Sequence, residues 1–248
     1  MIRVGVDDLK GKTEAQRAAY VRRRLETAAQ QGDDWSPRSR LPTIAPLAQL
    51  LPDGLACGAV VDYRGAVSPL LGMLAVASAA GLDTALVNLP ARQGLAAGLL
   101  AAQEMGGVLT RMYAVASPEQ ELATVVNTLL DGLALVIVGV GDAALAPGVA
   151  KILAKRAHDR ECTLVLADAR RQFPSADLRL VIECAGYEGL SRGRGLLRGQ
   201  RYSVTATPRG GRSVYGEIRM AACGGGNVEW GRVESAAAVI EFPAMATG

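Results

Sequence analysis

A segment in the position of a phosphate-binding loop follows the first predicted strand, residues 58–63. A working loop has the pattern G-x-x-x-x-G-K-[ST], in which glycine amides and the lysine hold the phosphates and the hydroxyl holds magnesium. Here leucines stand at the second glycine and the lysine positions, and Pro69 lacks an amide proton. Gly72 stands at the hydroxyl position, so we predict a degenerate loop without tight ATP binding that runs into a helix at 69–80, with no cofactor and no metal. Its residues of interest are Gly65, Ser68, Leu70, Leu71 and Gly72.

A second glycine motif follows a later apolar strand, residues 134–138. Gly139, Gly141 and Ala144 match the dinucleotide fingerprint G-x-G-x-x-A, and Asp168 ends the next predicted strand, where an acid could bind a ribose hydroxyl. No proton-transfer group accompanies the motif, because the single histidine, His158, lies in a charged helical stretch. Because the fingerprint matches but this group is missing, an NAD(P)-binding oxidoreductase is kept only as an alternative.

Other chemistry is limited by what the chain lacks. One histidine cannot build a multi-histidine metal site, and the four cysteines form no C-x-x-C pair. Widely spaced cysteines are typical of reduced thiols in a cytosolic protein. Residues 1–10 contain two aspartates and no apolar run, so they do not resemble a signal peptide. We expect a cytoplasmic protein.

The predicted elements favour an α/β fold with a mainly parallel sheet flanked by helices. Strands and helices alternate from residue 41 to 167, and the last helix of this part is predicted at 147–158. Three strands follow at 178–184, 202–207 and 213–220, separated by Gly/Arg loops. We expect an N-terminal helical arm at 1–40, a core at 41–220 and a Gly/Ala-rich extension at 221–248 with one strand at 228–233. Ser117 and Gln120 predict a capping box for a helix that runs to Leu130. The arm is a candidate oligomer or partner contact through Arg17, Arg22, Arg23 and Leu25.

Positive charge is concentrated late in the chain. Residues 189–220 contain seven arginines and one glutamate, a net charge of +6, whereas the whole chain carries +3. Such a segment could contact DNA phosphates without sequence preference, dock an acidic partner segment, or form a solvated sheet edge. The composition does not separate these three readings. The candidate binding residues are Arg192, Arg194, Arg198, Arg201, Arg209 and Arg212.

Several phrases, together with the order of elements, resemble a known family. The phrases are LLPDGL at 50–55 before GAVVD at 58–62, SADLRL at 175–180, YEGLSRG at 187–193 and VTAT at 204–207. They are similar to the RecA-related accessory proteins of the ImuA type, over roughly residues 41–220. That resemblance implies a RecA-like fold and a role in SOS-induced translesion synthesis and mutagenesis, beside an ImuB-like Y-family polymerase homologue and an error-prone C-family polymerase. Contacts with RecA, with DNA or with further copies of the chain are also implied.

The chain departs from an active RecA-type ATPase in a consistent direction. Val138-Gly139 stands where a Walker B aspartate is expected, and Asn88-Leu89-Pro90 provides no catalytic glutamate. The cross-subunit lysines are replaced around Ser203 and Thr205. The resemblance therefore implies a non-catalytic accessory protein that keeps the scaffold. Cell-division inhibitors of the SulA type share such a degenerate core and are the second alternative.

Overall fold

Nine strands form one sheet in the computed structural model, in the order β3-β2-β4-β5-β1-β6-β7-β8-β9. The structure describes residues 40–51, 54–88, 95–116, 119–140, 146–167, 173, 175–191, 194–224 and 227–233. All pairings from β3 to β6 are parallel, and those from β6 to β9 are antiparallel. The elements are α1 (Ala45–Leu50), β1 (Val60–Gly65), α2 (Val67–Ala79), β2 (Thr84–Val87), α3 (Leu95–Glu104), β3 (Met112–Val115), α4 (Leu122–Leu129), β4 (Leu135–Gly139), α5 (Pro147–Asp159), β5 (Thr163–Ala167), β6 (Leu178–Ser191), β7 (Arg194–Pro208), β8 (Val214–Cys223) and β9 (Asn227–Arg232).

Helices cover both faces of the parallel half of the sheet. Alternate residues of a strand point to opposite faces, and the buried residues accordingly divide into two clusters. One cluster contains Val61 and Tyr63 of β1 with side chains of α1, α2 and α3. The other contains Val60 of β1 with side chains of α4 and α5. The predicted α/β class, with helices flanking a mainly parallel sheet and antiparallel strands after it, is confirmed.

The antiparallel strands are longer than the sequence predicts. The sequence predicts strands at 178–184 and 202–207 separated by a Gly/Arg loop, but β6 continues to Ser191 and β7 begins at Arg194, and these two residues pair in register. The loop prediction is wrong because the glycines here allow the two strands to approach closely. Gly189 has φ +83° and Gly195 has φ +111°, and a Cβ on Gly195 would lie 2.1 Å from the Gly189 carbonyl oxygen.

Two further element boundaries differ from expectation. The helix predicted to begin after Ser117 begins at Leu122, after a 3₁₀ turn at Glu119–Glu121, and its N-cap Glu121 makes no side-chain capping bond. Ser117 of the predicted capping box lies outside the described residues. The strand expected at 228–233 is present as β9, which pairs with β8 and continues the sheet across the predicted boundary at 221. No helix among the described residues has the length and apolar character needed to cross a bilayer.

Candidate functional site

The connection from β1 to α2 is a one-residue bend. β1 ends at Gly65 and α2 begins at Val67, so Ala66 alone lies between them. The helix predicted at 69–80 is present but begins two residues earlier, so Ser68, Leu70, Leu71 and Gly72 all belong to it. Proline is tolerated in the first turn of a helix, where amides have no intrahelical acceptor, so the helix can begin before Pro69. A helix that starts this early leaves no loop to surround a phosphate.

The backbone of β6 closes one side of the bend. The Ala66 amide donates to the Ile182 carbonyl oxygen over 2.7 Å. Gly65 has φ +111°, and a Cβ there would lie 2.0 Å from the same oxygen. The glycine is therefore required by the close approach of two strands. The amide that follows it, which a phosphate-binding loop would offer to its ligand, is already bonded to protein.

Side chains from the antiparallel strands pack on the first turns of α2. The Trp230 ring packs against Gly72, where a Cβ would be 2.9 Å from three ring atoms. Tyr202 contacts the same ring with a centroid distance of 5.9 Å. Its hydroxyl donates to the Gln200 side-chain oxygen. We call Tyr202 and Trp230 the aromatic pair.

The predicted loop residues therefore have packing roles. Leu70 and Leu71 are buried in the core beside the sheet. Burial raises the pKa of Tyr202, against the smaller opposing effect of the Ser68 hydrogen bond, so this hydroxyl is neutral at physiological pH. The start of α2 thus meets neutral and apolar groups. Among the described residues that pack on the start of α2, none carries a positive charge that would neutralise a triphosphate.

The candidate arginines are distributed over three places. Arg198 is exposed near the turn of the β6–β7 hairpin, and Arg194 lies in the same part of β7. Arg201 pairs in register with Arg219 in the middle of the sheet. Arg209 and Arg212 are exposed after the other end of β7, which is about 35 Å from Arg198 at 3.3 Å per residue. Among the described residues, Arg198, Arg201, Arg209 and Arg212 do not form one basic surface.

Arg219 in the middle of the sheet is neutralised by an acid outside the basic segment. The Arg219 guanidinium donates to both oxygens of Glu188, with Nη2 to Oε2 at 2.6 Å and Nε to Oε1 at 2.9 Å. These hydrogen bonds hold the pKa of Glu188 below its usual value, and the charge of Arg201 adds to the effect. Glu188 on β6 therefore offsets one of the positive charges in the net charge of +6 that residues 189–220 carry.

We expect the Glu188–Arg219 pair to give a measurable pH dependence of stability. Glu188 has a lowered folded pKa, so its contribution is complete above the unfolded value near 4.5 and is lost as the pH falls through the folded value. Both side chains are partly exposed, which limits the contribution to at most about 1 kcal/mol. Melting temperatures of the wild type and Glu188→Gln should differ at pH 7 and converge by pH 3. A constant difference would contradict the assignment.

Sequence reasoning did not single out Asp62, a fully buried carboxylate on β1. Its Oδ2 accepts from the Phe173 amide at 3.2 Å and lies 3.5 Å from Nε of Arg179, its register partner on β6. Among the described residues, its Oδ1 has no hydrogen-bond partner. The signal that could have found it is an acid inside the apolar run VVDY. The described contacts make Asp62 a link between β1, β6 and residue 173.

Other predicted site residues lie outside the described residues: Arg17, Arg22, Arg23, Leu25, Gly141, Ala144, Asp168 and Arg192. Gly139 is described and ends β4. The order 3-2-4-5-1 of the parallel strands differs from the 3-2-1-4-5-6 order of dinucleotide-binding sheets. In the described ranges, no group of three or more His, Cys, Asp or Glu residues could hold a metal ion.

Comparison with known proteins assigns the parallel half of the sheet to a family. A family model described as the MT3502 N-terminal domain matches residues 49–172, which are half of the chain. The uncharacterized protein Rv3395c of Mycobacterium tuberculosis is 36% identical over 137 residues, which span 55% of this chain and 64% of the relative. The alignment thus covers less than two thirds of that relative. Since the family match includes the bend and the five adjacent strands from β3 to β1, the chain belongs to the family of the MT3502 N-terminal domain.

Proposed function

We propose that the protein is a non-catalytic accessory factor of SOS-induced translesion synthesis, built on a RecA-like scaffold. In this role it binds an ImuB-like Y-family polymerase homologue and helps to assemble it with an error-prone C-family polymerase. It acts by holding other proteins, without hydrolysing ATP, in the cytoplasm. The proposal joins the resemblance of residues 41–220 to ImuA-type proteins with the geometry of the β1–α2 bend.

The bend is the observation that carries the proposal. An ATPase of the RecA type needs free amides, a lysine and a hydroxyl between its first strand and the following helix. In this chain that connection is one residue, its amide is bonded to Ile182, and the lysine position is the buried Leu71. The hydroxyl position of the pattern is Gly72, which packs against the Trp230 ring. Each group that would bind nucleotide is replaced or already occupied.

The sheet supports the same proposal. β1 lies inside the sheet, between β5 and β6, and three antiparallel strands extend from β6. This is the arrangement that the RecA-type resemblance implies, with a mainly parallel core and antiparallel C-terminal strands. The strand order and the absence of a companion proton-transfer group weigh against the NAD(P)-dependent alternative.

Binding and turnover measurements on the purified chain test the proposal together. We expect the immobilised chain to retain the ImuB-like protein of the same organism, and ATP turnover to equal that of a buffer blank. Failure to retain that protein would overturn the proposed partner. ATP turnover that Ser68→Ala abolishes would overturn the non-catalytic assignment, because Ser68 is the hydroxyl at the bend. If the chain instead inhibits the GTP turnover of a tubulin-like division protein, that result would favour the SulA-type alternative.

A further inference from the structure

We propose that the outer face of the sheet beside the turn between β7 and β8 binds single-stranded nucleic acid through its phosphates and one unpaired base, without sequence preference. The inference goes beyond the proposed function, because it gives the chain a ligand of its own besides its protein partners. Six described residues carry it, and we call them the turn patch: Arg179, Thr207, Arg209, Arg212, Ser213 and Tyr215.

The turn patch lies at the opposite end of the sheet from the β1–α2 bend. β7 ends at Pro208, whose register partner on β6 is Leu178, and Leu178 lies beside Val61 near the start of β1. The bend follows Gly65 at the other end of that strand. In open α/β sheets, nucleotides bind beyond the carboxyl ends of the strands. A ligand at the turn patch therefore occupies a surface that the degenerate loop does not include.

Polar side chains of three adjacent strands lie side by side on the outer face. Thr207 of β7 is the register partner of Arg179 of β6, and its hydroxyl lies 2.8 Å from that of Ser213. Two residues back along β7, Thr205 is the register partner of Tyr215 of β8. Because alternate residues of a strand point to the same face, Tyr215 shares this face with the row that contains Thr207. Guanidinium, hydroxyl and phenol groups thus span about two strand spacings, roughly 10 Å.

Three arginines of the turn patch provide charge for phosphates. Arg209 and Arg212 are exposed, and neither forms an ion pair with any residue that the structure describes. The Arg179 side chain is 37% exposed, and its Nε lies 3.5 Å from Oδ2 of Asp62. Within the described part of the chain, this Nε makes no hydrogen bond. The three guanidinium groups therefore keep donors for a ligand.

The acids near the turn patch are either engaged or lie beyond it. Asp177 is adjacent, because its carbonyl oxygen accepts from the Arg209 amide. Its Oδ2 accepts from a backbone amide of β1 at 2.9 Å and lies 3.3 Å from Nε2 of His158. Glu217 is exposed on the outer face, two residues past Tyr215 along β8, which is about 7 Å. Glu217 therefore limits the anion-binding area to the turn side of Tyr215.

The side chains of the turn patch favour a nucleic acid over an acidic protein segment. Arginine, serine, threonine and tyrosine all donate to phosphate oxygens, whereas serine and threonine are under-represented among the hot spots of protein interfaces. Tyr215 is 72% exposed. An exposed ring can stack on an unpaired base of a single strand, and such stacking tolerates every base type. The bases of a duplex already stack on one another, so a single strand is the better ligand.

Fluorescence anisotropy with a fluorescein-labelled oligothymidylate of roughly 20 nucleotides, longer than one such site covers, tests the inference. We expect the affinity to fall steeply between about 50 and 200 mM salt. Arg209→Glu and Arg212→Glu should each weaken the Kd about tenfold, and Tyr215→Ala at least about fivefold. Glu217→Gln should tighten it about twofold. Arg198→Glu is the control of matched charge, at an exposed arginine near the other end of β7, and should stay within about twofold of the wild type.

All five variants alter exposed side chains and should melt close to the wild type. No binding of the oligothymidylate by the wild type would overturn the inference, and retention of the ImuB-like protein would still decide the proposed function separately. Equal losses in Arg198→Glu and Arg209→Glu would show that binding follows net charge alone, against the inference. Equal affinity for a duplex of the same length, unchanged by Tyr215→Ala, would exclude the single strand. If Arg212→Glu releases the ImuB-like protein but keeps the oligothymidylate, the turn patch docks a protein and the inference is wrong.

Discussion

Gly65→Ala is expected to lower the free energy of unfolding by about 3 kcal/mol or more, with a melting temperature roughly 10 °C lower. The new Cβ would lie 2.0 Å from the Ile182 carbonyl oxygen, which belongs to the backbone and cannot rotate away. The φ of +111° adds conformational strain, because residues with a side chain rarely adopt it. Separating β1 from β6 would also break the bond from the Ala66 amide to Ile182. Urea unfolding of the two proteins measures the difference.

Gly81→Ala is the matched control for this prediction. Gly81 has φ +89° with no atom within 4 Å of a built Cβ, so alanine there experiences the backbone strain without the clash. We expect a loss of about 1–2 kcal/mol at Gly81, clearly smaller than the loss at Gly65. Equal losses at the two positions would show that β6 does not close against the bend, and the account of this site would fail.

The parallel half of the fold follows closely from the sequence. The apolar run at 134–138 becomes the buried strand β4, at 135–139, and the helix predicted to start at Pro147 starts there. These segments are fixed by local signals, namely a continuous apolar run and a proline at the first helical position. Their neighbours in space do not need to be known for the prediction to succeed.

The candidate site depends on contacts that local signals do not contain. Gly65 resembles the first glycine of a phosphate-binding loop, but its conformation is set by Ile182, more than a hundred residues later. The Gly/Arg stretch resembles a loop by composition, but its described residues belong to the paired strands β6 and β7. Gly189 and Gly195 allow the two backbones to approach closely. Trp230 lies in a segment predicted as an extension, and nothing in that segment indicates that its ring covers Gly72.

The contact between Gly72 and Trp230 gives the second large expected effect. Trp230→Ala removes a ring that packs on α2 and on Tyr202, and we expect a loss of about 2–3 kcal/mol from a side chain that is only partly buried. Gly72→Ala places a methyl group 2.9 Å from the Trp230 ring. Tyr202 also contacts this ring and limits how far it can move. We expect a loss of about 1–2 kcal/mol, although alanine is the better helix former.

The double variant Gly72→Ala/Trp230→Ala should be no less stable than Trp230→Ala alone, because the clash needs the ring. Alanine in a helix then contributes up to about 1 kcal/mol over glycine, so the substitution that destabilises the wild type stabilises the truncated protein. The change of sign corresponds to a coupling of more than 1 kcal/mol, measured by urea unfolding of the four proteins. Gly148→Ala in α5, where a Cβ meets open space, should be neutral or stabilising in both backgrounds. Additive losses at Gly72 and Trp230 would mean that the Trp230 ring does not pack on α2. The argument that the aromatic pair covers the start of this helix, in place of a nucleotide, would then fail.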